Sequence, residues 1–320
     1  MAMAPLASII ICTRNRAASL DRTLRGLLDD DSATDRELVI VDNASSDRTR
    51  LVAEAAAATA GFPVVIVSES RPGLSRARNA GVRRASGEFL LFTDDDIVVR
   101  PGWVDALVAP FASGDVAVTG GRVIPVHPRP LAPWMRGTHL DRIALTDYGP
   151  SDREMLGDAL PYGANFALRR SVLPPEDPFP PFLGHSGAVG ISYEEWHVVQ
   201  SLAREHRIVY APKAVVEHHY DAAKLDYDSF RRSYFQSGFG YARHERMVNP
   251  VRVRFPRRAV EAVRAYSKAL AIRRRNARVR ELTPEVALSE FEAYFWAGIQ
   301  VERLCQRDWR LANWLAARLV

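Results

Sequence analysis

The sequence predicts an α/β protein built on a parallel sheet with crossover helices. In the first hundred residues, short β-branched and aliphatic runs alternate with stretches of helical character. Each apolar run ends in polar residues, which is typical of parallel strands whose carboxyl ends border a ligand cleft. The 320 residues, 47% hydrophobic and 25% charged, have the composition of a globular protein with a sizeable core.

The predicted elements follow one another in a regular order. The strands are Ser8–Cys12, Glu37–Val41, Val64–Val67 and Glu88–Phe92, and the helices between them are Ala18–Leu28, Arg48–Ala60 and Leu74–Ala85. Gly87 follows the third helix as a candidate C-cap, and Pro101-Gly102-Trp103 predicts the start of another helix. The polar strand ends are expected to converge on one cleft: Thr13–Asn15, Asp42–Asp47, Ser68–Arg71 and Asp94–Asp96.

The remainder of the chain is less regular at first and then helical. The proline-rich stretches Pro125–Pro133 and Pro174–Pro181 predict loops. Between and after them the sequence predicts a strand at Tyr162–Arg169, a helix at Tyr193–Arg204 and one or two strands through Ile208–Val216. From about Leu225 onward the pattern is helical and polar.

Charge and cysteine usage limit the setting in which the protein works. Cys12 and Cys305 stand far apart and neither has a neighbouring thiol, so we expect a reducing, cytoplasmic environment without a disulfide framework or zinc knuckle. No apolar run is long enough to cross a bilayer, and the first residues are interpreted as a buried strand instead of a signal peptide. The net charge of +5 is concentrated in residues 251–281, where eleven Arg or Lys accompany only Glu261 and Glu281.

Two common nucleotide-binding motifs are absent from the sequence. No G-x-G-x-x-G follows the first strand, and G-x-x-x-x-G-K-[ST] does not occur. These absences argue against a dehydrogenase and against a P-loop NTPase. The strand ends instead carry Asp, Asn and Arg side chains, which suit a nucleotide and a divalent metal.

The strongest local signal is the run Asp94–Asp96 after a buried strand. Mg²⁺ and Mn²⁺ prefer carboxylate and phosphate oxygens, so this run predicts contacts with a metal and with ribose. The same tripeptide occurs at Asp29–Asp31, but there it follows a helix at the opposite edge of the predicted sheet. We therefore interpret Asp29–Asp31 as a solvated turn.

Other polar residues are placed to complete a nucleotide site. Asp42 ends the second strand, where a carboxylate can accept the N–H of a base, whereas Asp47 and Thr49 suit the cap of the next helix. Arg71, Arg76 and Arg78 begin the third helix near the same cleft and could neutralise a diphosphate.

These runs together resemble the inverting, nucleotide-sugar-dependent glycosyltransferases of family 2, over about Leu6–Tyr220. Thr13-Arg14-Asn15-Arg16 is similar to the family's T-x-N-R opening. Val41-Asp42-Asn43 with Ser46-Asp47-Arg48-Thr49 is similar to its V-D-[ND]-x-S-x-D-x-T motif. Leu74–Gly81 follows the family's helix, and Asp94–Asp96 lies where its D-x-D metal motif belongs.

The resemblance continues into the second half of the catalytic region. Gly163–Arg170 resembles the acceptor-side G-x-N-x-x-x-R strand, and Val215–His219 matches the closing strand, whose histidine can complete the metal site. Tyr193-Glu194-Glu195-Trp196 falls where the family places an E-D pair. Here the second acid is Glu195 instead of Asp, and His197 replaces a frequent further acid.

The resemblance implies a fold, a domain organisation and a reaction. The fold is GT-A, Rossmann-like, with a mixed, mostly parallel sheet flanked by helices. Residues 1–222 would form the catalytic domain, with a donor half at 1–124 and an acceptor half at 125–222, and residues 223–320 a helical, Arg-rich extension. The reaction would be metal-assisted direct displacement that moves one sugar from a nucleoside-diphosphate sugar, with a UDP-sugar favoured, to a hydroxyl of a glycan, lipid-linked or small-molecule acceptor.

The resemblance also implies roles for individual residues. Glu195 or Glu194 would be the catalytic base. The donor nucleotide would be bound by Thr13, Arg14, Asn15, Asp42, Arg71, Arg76, Arg78, Asp94 and Asp95. The divalent metal, Mn²⁺ or Mg²⁺, would be held by Asp94, Asp96 and His218, and the acceptor or sugar by Gly163, Asn165 and Trp196.

Alternatives remain open from the sequence. A sugar-1-phosphate nucleotidyltransferase uses a related fold and metal but needs a Gly-rich basic loop after the first strand, and Thr13–Arg16 contains no glycine. A nucleotide- or glycan-binding module that has lost catalysis is the second alternative. The basic stretch Arg252–Arg280 predicts docking on an anionic surface, such as the inner membrane face, or packing in a homo-oligomer, and no nucleic-acid partner is expected.

Overall fold

The structure, a computed structural model, describes residues 5–157, 159–185, 190–249, 255–279, 281–305 and 314. These residues divide into two units. The first comprises the described residues within Met1–Val126, Ala144–Pro181 and Glu194–Tyr220, and the second those within His127–Ile143, Phe182–Tyr193 and Asp221–Val320. The sequence divides the chain once, after residue 222, whereas the structure groups residues 127–143 and 182–193 with the C-terminal helices.

The first unit begins with parallel strands that alternate with helices, as predicted. The strands are β1 (Ala7–Thr13), β2 (Arg36–Asp42), β3 (Val64–Ser68) and β4 (Phe89–Thr93), and the helices are α1 (Ala17–Leu28), α2 (Thr49–Thr59) and α3 (Leu74–Arg84). Each predicted bound lies within one residue of the observed one. The fold class predicted from the alternating pattern is confirmed.

The central strands are buried on both faces of the sheet. Along β1, Ile9 and Ile11 pack into one hydrophobic cluster and Ile10 packs into another on the opposite face. Along β2, Leu38 and Val39 divide in the same way. Strands covered by helices on both sides read as continuous apolar runs, which is why they were recognisable in the sequence.

The sheet continues with strands of both directions. These are β5 (Ile97–Val99), β6 (Val116–Val126), β7 (Arg153–Glu154), β8 (Asn165–Arg169) and β9 (Arg207–His219), with α4 (Trp103–Val108) and α5 (Glu194–Leu202) among them. Among the described residues the strand order is β3-β2-β1-β4-β8-β6-β9-β5, and β7 pairs with β9. β8 is antiparallel to β4 and β6, whereas β6 and β9 are parallel. The sheet is therefore mixed.

The sequence missed β5, β6 and β7. The strands β5 and β7 are only three and two residues long, too short for a periodic signal. β6 contains Gly121, where an added Cβ would collide with the carbonyl oxygen of Ala214, so close backbone approach requires glycine there. β6 also runs through Pro125, which the sequence assigned to a loop; that expectation was wrong because Pro125 pairs with His218.

The second unit is helical, with α6 (Tyr227–Val248), α7 (Phe255–Asn276) and α8 (Pro284–Leu304). Trp134 and His139 from the segment 127–143 pack edge-on against Phe291 of α8, with ring centroids 5.6 and 5.5 Å away. His139 Nε2 also lies 3.1 Å from the carbonyl oxygen of Pro284. These contacts explain why a segment predicted to belong to the catalytic region joins the helices.

Helices α6 and α8 approach to backbone contact through two glycines. An added Cβ at Gly238 of α6 would collide with the carbonyl oxygen of Phe295 in α8, and one at Gly298 of α8 would collide with that of Phe235 in α6. The relation is reciprocal. Neither position can hold a side chain without separating the helices.

The predicted basic stretch is only partly described. Arg252 and Arg280 lie outside the described residues, as does the side chain of Phe255. On α7, Val260 and Val263 are 49% and 65% exposed. Exposed cations follow along the helix at Arg264, Lys268, Arg273, Arg274 and Arg275. Within the described part of the chain, none of the helices combines the length and apolarity that spanning a membrane requires.

Candidate active site

The carboxyl ends of the first strands are aligned by their pairing. Thr13 at the end of β1 lies opposite Asp42 at the end of β2, and Asp42 lies opposite Ser68 of β3. β4 pairs with the other side of β1, and the run 94–96 follows its last residue. The polar strand ends therefore meet at one edge of the sheet, as the sequence predicted.

Asp95 is held by the strand next to it. Its Oδ2 accepts a hydrogen bond from Thr13 Oγ1 at 2.6 Å, and its Oδ1 lies 3.0 Å from Arg16 Nε. Arg16 also donates from Nη2 to Asp96 Oδ2 at 2.7 Å, so one guanidinium bridges two carboxylates. The sequence analysis did not select Arg16, although it closes the T-x-N-R motif.

Asp94, Asp96 and His218 form a group that could hold a metal ion. One ligand atom from each lies within 4.8 Å of the others, a search confined to the described residues. His218 reaches the group because β9 pairs with β5 and places it opposite Ile97, directly after Asp96. His218 Nε2 lies 3.0 Å from Asp96 Oδ1.

This group fits a divalent cation. Two carboxylates and an imidazole are ligands that Mn²⁺ or Mg²⁺ can share with phosphate oxygens and water. Two of the side chains come from the run 94–96 and the third from β9, and one ligand atom of each lies close to the other two. In the described structure, Nδ1 of His218 is buried and has no hydrogen-bond partner. A ligand other than protein could therefore complete the surroundings of this histidine.

Burial changes the proton affinity of these carboxylates. Desolvation, with a smaller contribution from the charge of Asp96, raises the pKa of Asp94. Desolvation also raises the pKa of Asp95 to about 7, although Arg16 and the Thr13 hydrogen bond act in the opposite direction. A cation bound beside these groups would favour their ionised forms.

Asp42 and Asn43 organise the adjacent loops. Asp42 is buried and accepts a hydrogen bond from the backbone N–H of Ser45 at 3.0 Å. Asn43 donates to the carbonyl oxygens of Glu69 and Arg71 and accepts from the N–H of Gly73 at 2.8 Å. Asn43 thus fixes the loop that carries Arg71, a role that the V-D-N motif could have indicated.

The other predicted nucleotide-binding residues lie around these loops. Asn15 adopts a positive φ of 53° and accepts a hydrogen bond from the N–H of Ser46, which links the ends of β1 and β2. Arg14 is exposed, and Arg76 is half-buried on α3. Arg71 is 66% exposed and pairs with the buried carboxylate of Glu69 at 3.1 Å.

Arg78 has different surroundings from Arg71 and Arg76. Its Nη1 lies 2.8 Å from Glu194 Oε1 and 3.2 Å from Glu195 Oε2, and its side chain is 4% exposed. The sequence grouped it with the donor contacts. The structure instead brings it to both candidate bases at the start of α5.

The two glutamates differ in their access to solvent. The side chain of Glu194 is fully buried, whereas that of Glu195 is 16% exposed. Desolvation and the neighbouring charge of Glu195 raise the pKa of Glu194, and Arg78 acts in the opposite direction. Glu195 is therefore the member of the pair that solvent reaches.

The three predicted acceptor residues have unequal environments. Gly163 faces the glutamate pair, since an added Cβ there would lie 2.9 Å from Arg78 Nη2 and 3.0 Å from Glu195 Oε1. Asn165 is fully buried: its Oδ1 accepts from Trp103 Nε1, and its Nδ2 donates to the carbonyl oxygens of Arg122 and Ala214. Asn165 thus ties β8 to its neighbours. Trp196 is half-buried and packs against the core.

Comparison with known proteins places this arrangement among sugar-transferring enzymes. Residues 8–174 match the family described as Glycosyl transferase family 2. The chain is 37% identical over 109 residues to validoxylamine A glucosyltransferase of Streptomyces hygroscopicus subsp. jinggangensis, covering 34% of this chain and 26% of that one. It is 23% identical over 206 residues to glycosyltransferase AglE of Haloferax volcanii, covering 64% of this chain and 66% of that one. The match thus spans about a quarter of the first relative's length and two-thirds of the second's.

Solved structures show the same fold. The mannosyltransferase PcManGT from Pyrobaculum calidifontis, in complex with GDP-Man and Mn²⁺, superposes with a TM-score of 0.62 at 17% identity, covering 96% of this chain and 89% of that chain. TarS 1-349 of S. aureus, in complex with UDP, superposes with a TM-score of 0.53 at 18% identity, covering 96% and 92%. At these identities the likeness establishes a shared fold.

Proposed function

Because the chain belongs to glycosyl transferase family 2 and has the GT-A fold, as the sequence motifs predicted, we propose that it transfers one sugar from a nucleoside-diphosphate sugar to an acceptor hydroxyl with inversion. One observation carries this proposal. The structure contains two separate sets of acidic residues, a metal-type group at Asp94, Asp96 and His218 and a glutamate pair at the start of α5. Direct displacement needs a group of each kind.

The donor would bind along the carboxyl ends of β1 to β4. Asp42 would accept the N–H of the base, with Thr13 and Asn15 beside it and Asp95 at the ribose. A uridine or a guanine offers such an N–H, and GDP-Man and UDP are the nucleotides in the two structural neighbours. We favour a UDP-sugar. Arg71, whose side chain is exposed beside the same loop, would contact the diphosphate.

The metal-type group would hold Mn²⁺ or Mg²⁺ against the donor diphosphate. When bound, such an ion supplies positive charge that offsets the diphosphate and stabilises the departing nucleoside diphosphate. Asp94, Asp96 and His218 would provide the protein ligands. Arg16 would hold Asp95 and Asp96 in place through its two contacts.

Glu195 would remove the proton from the acceptor hydroxyl. Its carboxylate is partly exposed, whereas that of the adjacent Glu194 is fully buried. A general base must come within about 3 Å of the proton that it takes, and the partly exposed carboxylate is the better placed of the two. Attack by the activated hydroxyl on the anomeric carbon, on the face opposite the leaving group, would invert the configuration.

The test is to replace each glutamate by glutamine, which keeps the size of the side chain but cannot take a proton. We expect Glu195→Gln to lower the transfer rate by roughly 10²-fold to 10⁴-fold while donor affinity stays within about threefold of wild type. Glu194→Gln, at the neighbouring carboxylate that pairs with Arg78, is the comparison variant and should lower the rate less than Glu195→Gln does. The opposite outcome, a slow Glu194→Gln and a normal Glu195→Gln, would move the base by one residue.

A binding module without catalysis is the competing function. It would bind a nucleotide and Mn²⁺ but would neither transfer nor hydrolyse the sugar. Incubating the protein with UDP-, GDP- and dTDP-sugars and Mn²⁺, and measuring released nucleoside diphosphate, separates the two functions. Nucleotide release from one donor, abolished in Glu195→Gln, would support the transferase.

For the acceptor side we propose that α7 docks on an anionic membrane surface that carries a lipid-linked acceptor. Its exposed cations and its exposed Val260 and Val263 support this, since a basic residue near anionic lipid contributes about 1 kcal/mol. Flotation with anionic liposomes at low salt tests it. Charge reversal at Arg264, Lys268 and Arg274 should abolish flotation, whereas reversal at the exposed Arg25, Arg50 and Arg100 of the first unit should not. A wild-type protein that stays at the bottom of the gradient would refute this docking.

A further inference from the structure

Arg78 is a buried cation that contacts two carboxylates at once. Its Nη1 lies 2.8 Å from Glu194 Oε1 and 3.2 Å from Glu195 Oε2, and its Nη2 lies 3.4 Å from the carbonyl oxygen of Gly163. Only 4% of its side chain is exposed. Removing one partner of such a buried ion pair leaves an uncompensated charge, which strongly destabilises the folded protein.

The surroundings of Arg78 restrict its movement. Its guanidinium carbon lies 5.8 Å from the ring centre of Phe166 and 5.7 Å from that of Phe179. The next residue, Asn79, donates to the carbonyl oxygen of Phe179 and accepts from its N–H, at 2.8 and 3.0 Å. The ring that packs on the guanidinium is therefore anchored to the same helix, α3.

Gly163 leaves room for the contact between Arg78 and Glu195. A Cβ at position 163 would come within 2.9 Å of Arg78 Nη2 and 3.0 Å of Glu195 Oε1. Because a side chain there would press on both groups, glycine preserves their distance. The helix α3, the loop before β8 and the start of α5 thus converge on one ion pair.

The two glutamates use this cation differently. Glu194 is fully buried, and among the described residues its Oε2 has no hydrogen-bond donor, so Arg78 is the group that compensates its charge. Glu195 shares the same Nη1 but is partly exposed. A carboxylate held at one oxygen by a rigid cation has a fixed orientation toward the cleft.

We propose that Arg78 is a positioning residue for sugar transfer: it orients the carboxylate of Glu195, while Glu194 is the counter-ion that holds Arg78 in place. This inference rests on the proposed role of Glu195 as the base. It replaces the role that the sequence suggested for Arg78, a contact with the donor diphosphate.

The charges around Arg78 determine what its removal would do. The groups that face it are Glu194 and Glu195 on α5, Asp94 after β4 and the thiol of Cys12 on β1. The surroundings raise the pKa of Cys12 to about 12, so this thiol carries no charge at neutral pH. Without Arg78, Glu195 would lose the cation that holds its carboxylate, and Glu194 would lose its counter-ion. We therefore expect kcat to fall while donor binding is retained.

The experiment measures kcat, KM and the donor affinity for four variants: Arg78→Met, Arg78→Lys, Glu194→Gln, and the double variant Arg78→Met/Glu194→Gln. The double variant removes the counter-ion together with the cation, so that no unpaired buried charge prevents folding. Arg83→Met is the control, since Arg83 lies on the same helix and pairs with Asp177 at the surface. Thermal unfolding confirms that each variant is folded.

We expect kcat to fall roughly 10-fold to 100-fold in Arg78→Met relative to wild type, and in the double variant relative to Glu194→Gln, with the donor Kd within about threefold. Arg78→Lys should restore kcat in part, because the charge is kept but the geometry is not. Arg83→Met should resemble wild type.

Two outcomes would overturn the inference. A folded double variant whose kcat equals that of Glu194→Gln would make Arg78 a structural residue only. A weakened donor Kd with an unchanged kcat would return Arg78 to the diphosphate. Failure of the proposed function is distinguishable from both, because Glu195→Gln would then remain active or the wild-type protein would transfer no sugar.

Discussion

The tripeptide Asp-Asp-Asp occurs at residues 29–31 and at residues 94–96, and the two copies have different structural roles. At the first copy, Asp29 ends α1 and donates its N–H to the carbonyl oxygen of Arg25. Asp30 is buried and accepts the backbone N–H of Trp103 at 3.1 Å. At the second copy, the acids contact Thr13, Arg16 and His218.

The difference between the copies comes from what precedes each of them. A run that follows a helix lies beside the negative end of that helix, which disfavours further anions. A run that follows a parallel strand lies beside the ends of neighbouring strands, where Thr13 and Arg16 gather around it. Asp30 accepts the first N–H of α4 from a buried position, so the solvated turn expected from the sequence was wrong for this residue. Identical residues thus hold the start of a helix in one place and form part of a candidate metal site in the other. Position in the sheet decides the chemistry.

The largest expected effect comes from neutralising each run in turn. Asp94→Asn with Asp96→Asn should lower kcat/KM by roughly 10³-fold or more, because the metal-type group would lose both carboxylates. Asp29→Asn with Asp31→Asn, at two exposed positions, should leave kcat/KM within about twofold of the wild-type value. Steady-state transfer with Mn²⁺ gives both values. Comparable losses of kcat/KM in the two variants would show that the two runs do not differ in function.

Removal of the metal should have the next largest effect. With EDTA present, donor affinity should fall by about 100-fold, because a diphosphate cannot approach several carboxylates without a cation to offset the repulsion. Titration calorimetry with and without Mn²⁺ measures this. The variant altered at 29 and 31 should respond as wild type does. An affinity that EDTA leaves unchanged would mean that the run 94–96 works without a metal.

Asp42 is a separate carboxylate that lies at the same sheet edge as the run 94–96 but outside the metal-type group. Asp42→Ala should weaken nucleotide binding by about 1 to 3 kcal/mol, the usual effect of leaving a buried donor unpaired. The dependence on Mn²⁺ should persist. Binding of UDP and GDP by calorimetry checks both points, and an unchanged affinity would place the base elsewhere.

The effect of pH should be smaller and should separate the two runs further. Burial raises the pKa of Asp94, and that of Asp95 to about 7, and a proton on these groups competes with a cation. Affinity for Mn²⁺ should therefore fall as the pH is lowered through 7, by about tenfold between pH 8 and 6. Electron paramagnetic resonance of free Mn²⁺ follows this. A flat response would contradict the predicted competition.

The smallest effect concerns the first run and appears in stability instead of activity. Asp30→Ala removes the acceptor for the Trp103 N–H at the start of α4 and should lower the free energy of unfolding by about 1 kcal/mol. Urea denaturation measures the loss. The transfer rate at 25 °C should not change, and a change would link the first run to the active site.

The sequence predicted the edge of the sheet where these acids act, because strand periodicity is local and parallel strands align their ends. The resemblance to family 2 added His218 to the predicted metal site. In the structure the pairing of β9 with β5 places His218 opposite Ile97, next to Asp96. The partners of Arg78 could not be predicted. Glu194 and Glu195 lie more than a hundred positions after Arg78 in the sequence. No local sequence pattern predicts which carboxylate pairs with a buried arginine.

The same limit explains the other discrepancies. Arg16 reaches Asp95 and Asp96 across the neighbouring strand end, a contact that periodicity does not encode. Segment 127–143 joined the helices because Trp134 and His139 pack around Phe291, although its prolines predicted only an irregular loop. Predictions from sequence were reliable where neighbours along the chain decide the structure.

The reciprocal glycines of α6 and α8 also fix how these helices move and unfold. If one helix slid along the other by a single turn, about 5.4 Å, residues with side chains would occupy the positions of Gly238 and Gly298, and the backbones would clash. The pair therefore has one permitted register. Because opening either helix removes the packing surface of the other, their innermost amides should exchange hydrogen with solvent as one cooperative unit.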